Sequence, residues 1–209
     1  MSQLYDAALS HYLPIYRAQD PQEIARRCRL PFDTRRSLFR LRLMGVTYEA
    51  DHPDYDLRAA SGEPRVLAKD PERILVLRYL CAGEFTESGG GQLAYDELPW
   101  GGVYLKNFRD RCLRRAARVL GDDLGGFRAF MTGCPALRAA ETLQGDAGYR
   151  FEFMSNFFMS VILWQGDDEF PPAAQFLFDD NFPRAFTAED AAVAGDTVID
   201  RIRARKEEQ

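Results

Sequence analysis

The chain has 209 residues and a net charge of −5, with 27 Lys and Arg against 32 Asp and Glu. That length suits a single domain, residues 1–209, able to bury a full apolar core. The acidic balance excludes general affinity for nucleic acid, which needs an excess of Lys and Arg against phosphate, and no run approaches the ~18 apolar residues of a membrane span.

Taken in chain order, residues Gln3–Ala18 are expected to form a helix bent at Pro14. The stretch Met1–Asp20 lacks a basic start followed by an apolar run, so it does not read as a secretory signal and a cytoplasmic location is expected. A second helix should begin at Asp20-Pro21, with Asp20 as cap and Glu23 reaching back to it, and run to about Cys28. In SLFRLRLM, Phe39, Leu41 and Leu43 alternate with Arg40 and Arg42, the period of a half-buried strand. Met44-Gly45 turns the chain. Val46, Tyr48 and Ala50 repeat the alternation, Tyr55, Leu57 and Ala59 suggest a third strand, and Ser61–Pro64 close the meander.

Asp70-Pro71-Glu72 marks a helix start, which resolves RILVLRYLC as a buried helix to about Ala82. A loop, Glu87–Gln92, and a short strand and turn in QLAYDELPWGG lead to a clear helix over 104–120. On its wheel Leu105, Phe108, Cys112, Ala116, Val119 and Leu120 form an apolar stripe, and Arg111, Arg114, Arg115 and Arg118 form a basic one. Arg109 falls within the apolar stripe. A short helix over 122–131 and another from the Gly-Cys-Pro break to about Leu143 are expected next. YRFEF alternates as a strand, FFMSVILWQ is apolar on both faces as a central strand would be, and AQFLFD is a third. Thr187–Asp190 is a capping box for a last helix to about Arg203. The fold class is α+β: one antiparallel or mixed sheet flanked by helices, with helices at both termini.

The four cysteines, Cys28, Cys81, Cys112 and Cys134, form no Cys-x-x-Cys pair, and the two histidines, His11 and His52, stand apart. Zinc, iron–sulfur and nucleotide cofactors therefore have no signature here. The loop Glu87–Gln92 lacks the strand-before, helix-after context of a phosphate cradle.

Candidate site residues remain, each with a plain structural reading beside the functional one. Asp167, Asp168 and Glu169 lie between two strands and are the weak candidates for a general acid or base, or simply for a solvated turn closed by Pro171-Pro172. Asp179 and Asp180 fall at the opposite end of the same hairpin. An inward Arg109 would need a carboxylate such as Asp96, Glu97 or Asp168, or a ligand anion. Trp100, Tyr104, Trp164 and Phe170 could line a pocket for a planar ligand, or could belong to the core. Neither histidine has the context of a catalytic triad. The arginine stripe could dock on an acidic partner or could be a solvated face.

The order ILVLRYLCAGEF, LAYDELPWGGVYLKNFRDRC, LQGDAGYRFEF, VILWQGDDEFPPAAQFLFDD and FTAEDAAVAGDTVIDRI resembles the family catalogued as domain of unknown function 3786, over about residues 4–202. The resemblance implies one compact domain and an anaerobic setting. It assigns no catalytic residue. Some members carry an added cysteine-rich iron–sulfur segment, which these 209 residues lack. The expectation is an accessory protein that binds a small molecule or a protein partner, the ligand being a small anion or a planar cofactor such as a corrinoid or tetrapyrrole. The alternatives are an enzyme using a turn carboxylate with Arg109 on an anionic substrate, and an assembly protein docking through the basic helix face.

Overall fold

A computed structural model describes residues 3–62 and 68–207. Glu63 and Pro64 of the expected meander end lie outside them.

Among the described residues, nine strands form one sheet whose pairings are all antiparallel. The meander is β1 (Phe32–Asp33), β2 (Leu38–Leu43), β3 (Val46–Asp51) and β4 (Leu57–Ala59). Then come β5 (Gln92–Ala94), β6 (Ala140–Glu141), β7 (Ala147–Met154), β8 (Phe157–Trp164) and β9 (Ala173–Asp179). The main order is β4-β3-β2-β7-β8-β9-β5, with β1 beside β2 and β6 beside β7. Between β2 and β3, Met44 (φ 48°) and Gly45 (φ 77°) are both left-handed, as a tight hairpin turn requires.

Alternation gives the sheet two unlike faces. Phe39, Leu41 and Leu43 of β2 share one with Tyr48 and Ala50 of β3, Phe151 of β7, Met159 and Val161 of β8 and Phe176 and Phe178 of β9. The helices cover this face: α1 (Gln3–Ala18), α2 (Pro21–Cys28), α3 (Asp70–Ala82), α4 (Gly101–Phe108), α5 (Arg114–Leu120), α6 (Leu124–Thr132) and α7 (Ala188–Glu207). Tyr16 of α1 meets Phe39 at 6.3 Å between ring centres, Tyr79 of α3 meets Phe157 at 5.6 Å, and Phe108 of α4 meets Phe176 at 6.1 Å. The opposite face carries Arg40, Arg42, Glu49, Arg150, Glu152, Phe158, Ser160 and Asp179. There Glu49, Glu152 and Asp179 are each at most 4% exposed, covered by arginines whose own side chains are 39–53% exposed.

Four sequence expectations are corrected. Asp20 caps α2, accepting from Gln22 N at 2.9 Å, but Glu23 pairs with Arg26 one turn on instead of returning to the cap. In α3 the cap is Lys69, one residue earlier than expected, and Glu72 accepts its amide at 3.0 Å. No helix follows Pro135: a single 3-10 turn, Pro135–Leu137, ends at Arg138 in a left-handed conformation (φ 51°). The chain then adds β6 to β7, because β2 pairs with β7 only at Leu43↔Met154 and leaves the start of β7 open on that side. Finally, the helix predicted over 104–120 begins at Gly101 and is interrupted by a π turn, Arg109–Leu113, in which Arg114 N–H bonds the Arg109 carbonyl five residues back. One inserted residue rotates the helix by about 100°. Phe108 and Cys112 stay buried while Arg109 points to solvent, so the inward Arg109 read from the wheel is wrong.

Candidate functional site

The principal cavity is a groove of about 810 Å³ between α4 and the start of α7, closed at one end by α3. Leu98-Pro99-Trp100-Gly101 builds its mouth. Trp100 is held in a left-handed conformation (φ 67°) just before α4 and is 77% exposed. Gly101 follows because a Cβ there would lie 1.8 Å from the Tyr95 carbonyl oxygen. Behind the mouth Trp100, Tyr104, Asn107 and Arg111 descend one side of the helix at spacings of four, three and four. Tyr95 and Phe108 form the floor, stacked at 3.8 Å and 6°. Tyr95 also donates to the Ala188 carbonyl at 3.0 Å, which fixes the floor to α7, and burial pushes its phenol up to about 12.

The facing wall is Pro183–Asp190 at the start of α7. The predicted capping box is present: Thr187 N and Oγ1 donate to Asp190 at 2.9 and 2.8 Å. Asp190 also pairs with Arg78 of α3 at 2.9 Å. Burial raises its carboxyl pKa, opposed by Arg78 and by the Thr187 bonds. Arg111 is paired with Asp196 of α7. Arg184 is exposed and has no ion pair among the described residues, which makes it the available cation of this groove.

Two of the five aromatic and arginine candidates, Trp100 and Tyr104, therefore meet in one cavity. Arg109 and Trp164 line none of the described cavities. Arg109 makes no ion pair with Asp96, Glu97 or Asp168 among the described residues; Trp164, 39% exposed, ends β8 opposite Ala173. The hairpin forms as read, with Asp167–Glu169 at one end and Asp179 and Asp180 at the other. Asp167 is a turn residue: its carboxylate accepts Phe170 N at 2.7 Å and Glu169 N at 2.9 Å, and those bonds lower its pKa. Asp168, Glu169 and Phe170 are exposed, and a shallow cavity beside the turn is lined by Asp167, Phe170 and Asp122.

The glycine loop holds an anion of the protein's own. Ser88 Oγ donates to Asp180 at 2.7 Å, Gly89 N at 3.1 Å and Gly91 N at 3.2 Å, so the backbone nest is filled by a carboxylate. Of the basic stripe, Arg111 and Arg115 turn inward to Asp196 and Asp200 on α7, and Arg114 pairs with Asp110. His52 Nε2 lies 3.2 Å from the Tyr16 carbonyl, and His11 edges Tyr12. Cys28, Cys81 and Cys112 are buried, and burial pushes their thiols up to about 11, 11 and 12. Among the described residues no three His, Cys, Asp or Glu side chains gather as a metal site.

Arg78, Arg184 and Asp190 were not singled out as site residues. Asp190 was visible as a capping residue, but nothing local tells that α3 brings Arg78 against it across 112 positions.

The family model described as Domain of unknown function (DUF3786) matches residues 20–201. The chain belongs to that family. The match begins at Asp20, so it takes in the groove walls of α3, α4 and α7 but leaves outside α1, whose Tyr12 also lines the groove. Neither the curated proteins nor the solved structures contain a match. Among the described residues no helix is long and apolar enough to cross a membrane.

Proposed function

We propose that this DUF3786 member is a binding protein whose groove between α4 and α7 takes a planar, largely apolar ligand bearing an anionic group. The observation that carries the reading is Trp100. A non-glycine residue in the left-handed region costs roughly 1–2 kcal/mol, and here the chain bears it to hold out a tryptophan that stays 77% exposed. Such a side chain makes sense when a ligand covers it. Tyr104, also exposed at 53%, continues the aromatic wall, and Arg184 supplies a cation for an acidic substituent. The cavity is within the roughly 300–1,000 Å³ typical of small-molecule sites. The cytoplasmic location and anaerobic setting expected from the sequence belong to the same proposal.

Trp164→Phe leaves Trp100 as the sole fluorophore of its kind. That variant should be titrated with 8-anilinonaphthalene sulfonate, with hemin and with a corrinoid. Quenching or a blue shift at saturation, lost in Tyr104→Ala and weakened in Arg184→Ala, is the expected result. Binding that survives both substitutions unchanged would place the ligand elsewhere.

A further inference from the structure

A second cavity, of about 430 Å³, lies where the polar face of the sheet meets the β7–β8 turn and the segments that follow α2 and α3, and it shares no lining residue with the groove. Its walls include Arg29, Arg138, Arg150, Asn156 and Phe158. We propose that it is an oxyanion site for a compact phosphate-bearing metabolite.

The first argument is the way the guanidinium groups are held. Arg150 Nε donates to Asp179 at 3.0 Å, and its Nη2 donates to the second oxygen of the same carboxylate. Gln92, on the neighbouring β5, also reaches Asp179, at 3.4 Å, and fixes Ser160 at 2.7 Å. Arg138 Nη1 donates to Glu152 at 3.0 Å and to Asn156 Oδ1 at 3.3 Å. Glu152 is itself saturated by Arg42 at 2.7 and 2.9 Å and by Asn156 N at 3.1 Å. The two carboxylates are 2% and 1% exposed, so the arginines are anchored from beneath and their remaining edges face outward. Among the described residues Arg150 Nη1 and Arg138 Nε and Nη2 have no hydrogen bond. Guanidinium groups immobilised before the ligand arrives lose less entropy on binding it.

The second argument fixes the ligand class. The cavity has two aromatic rings, and both are already taken: Arg150 and Arg138 lie over Phe158 at 4.1 and 5.0 Å, and Arg29 lies over Phe85 at 5.3 Å. Both rings thus serve to seat guanidinium groups, and the site offers N–H donors from three arginines. A tetrahedral oxyanion with three or more acceptor oxygens matches that arrangement better than a carboxylate with two. Among the described residues the one ion pair of Arg29 is with Glu87, exposed on both sides, and such pairs are weak enough to exchange for a better anion.

The test is calorimetric titration of the whole protein with pyrophosphate and with inorganic phosphate, acetate at matched ionic strength serving as the carboxylate control. Saturable binding of the phosphates and none of acetate is expected. Arg29→Ala leaves both buried carboxylates covered and should weaken pyrophosphate by about five- to tenfold, since it removes one charge-assisted contact. Arg138→Gln should do the same, with Arg42 still on Glu152; circular dichroism confirms that each variant folds. Arg114→Ala, on α5, should bind as the parent does. Acetate competing as well as phosphate, absence of saturable phosphate binding, parental affinity in both Arg29→Ala and Arg138→Gln, or an equal loss in Arg114→Ala would each overturn the assignment.

Discussion

Replacing Trp100 by glycine separates ligand binding from folding. Two terms oppose one another. Relief of the left-handed backbone (φ 67°) returns roughly 1–2 kcal/mol. Against it stand the greater unfolded-state freedom of glycine, about 0.5–1 kcal/mol, and the lost burial. With Trp100 77% exposed, under a quarter of a ~250 Å² side chain is covered, about 60 Å², or ~1.5 kcal/mol at about 25 cal/mol per Å². The terms nearly cancel, so stability should stay within about 1 kcal/mol of the parent. Phe108, 1% exposed on the floor of the same groove, should cost about 3–5 kcal/mol when cut to alanine. Urea denaturation followed by far-ultraviolet circular dichroism measures both. A loss of about 3 kcal/mol or more for Trp100→Gly would make the indole a packed structural element and remove the reason for assigning it to a ligand.

Three further outcomes follow from the same geometry. Gly101→Ala should cost at least about 2 kcal/mol by urea denaturation, because its Cβ would fall on the Tyr95 backbone at 1.8 Å, whereas Gly102→Ala, with nothing within 4 Å, should be neutral or slightly stabilising. Arg201→Met should cost about 3–5 kcal/mol by leaving Glu72, 3% exposed, without its bidentate partner; adding Glu72→Gln should recover part of that loss in a double-mutant cycle. Asp180 has its pKa lowered by Ser88 and the Gly91 and Gly89 amides, so its hold on the glycine loop is fully present above the ordinary aspartate range and is lost as pH falls through the depressed value. The protection factors of the Gly89 and Gly91 amides, exchange measured against the intrinsic rate at each pH, should therefore hold at neutral pH and fall only in strong acid, while Asp180→Ala should lack that protection throughout.

Much of the architecture was legible because its causes are local. The β2–β3 hairpin follows from two alternating runs joined by Met44-Gly45, and its register sets Arg40 opposite Glu49. The start of α7 follows from Thr187 and Asp190, three residues apart. The β8–β9 hairpin follows from apolar runs on either side of a proline-closed turn, in which Asp167 ties the backbone of Glu169 and Phe170. Trp100 and Tyr104 are legible only as aromatics that either line a pocket or join the core, and burial alone separates the two. Arg109 misled because the wheel assumes a constant 3.6-residue turn, and the π turn is a feature of packing: at Gly195, α7 comes so close that a Cβ would lie 2.8 Å from Cys112 Sγ.

The sequence by itself determined most element types, the two unlike faces of β2 and β3 and the antiparallel hairpins, since dihedral preference, capping and two-residue alternation act over a few positions. Only the tertiary structure decided that residues 138–141 leave helix for the open side of β7, that Asp180 fills the glycine nest, and that Arg78, Trp100 and Arg184 border one groove. Those outcomes rest on partners that no local window contains: a vacant strand edge, a carboxylate about 90 positions away, and three segments that meet only when the helices cover the sheet.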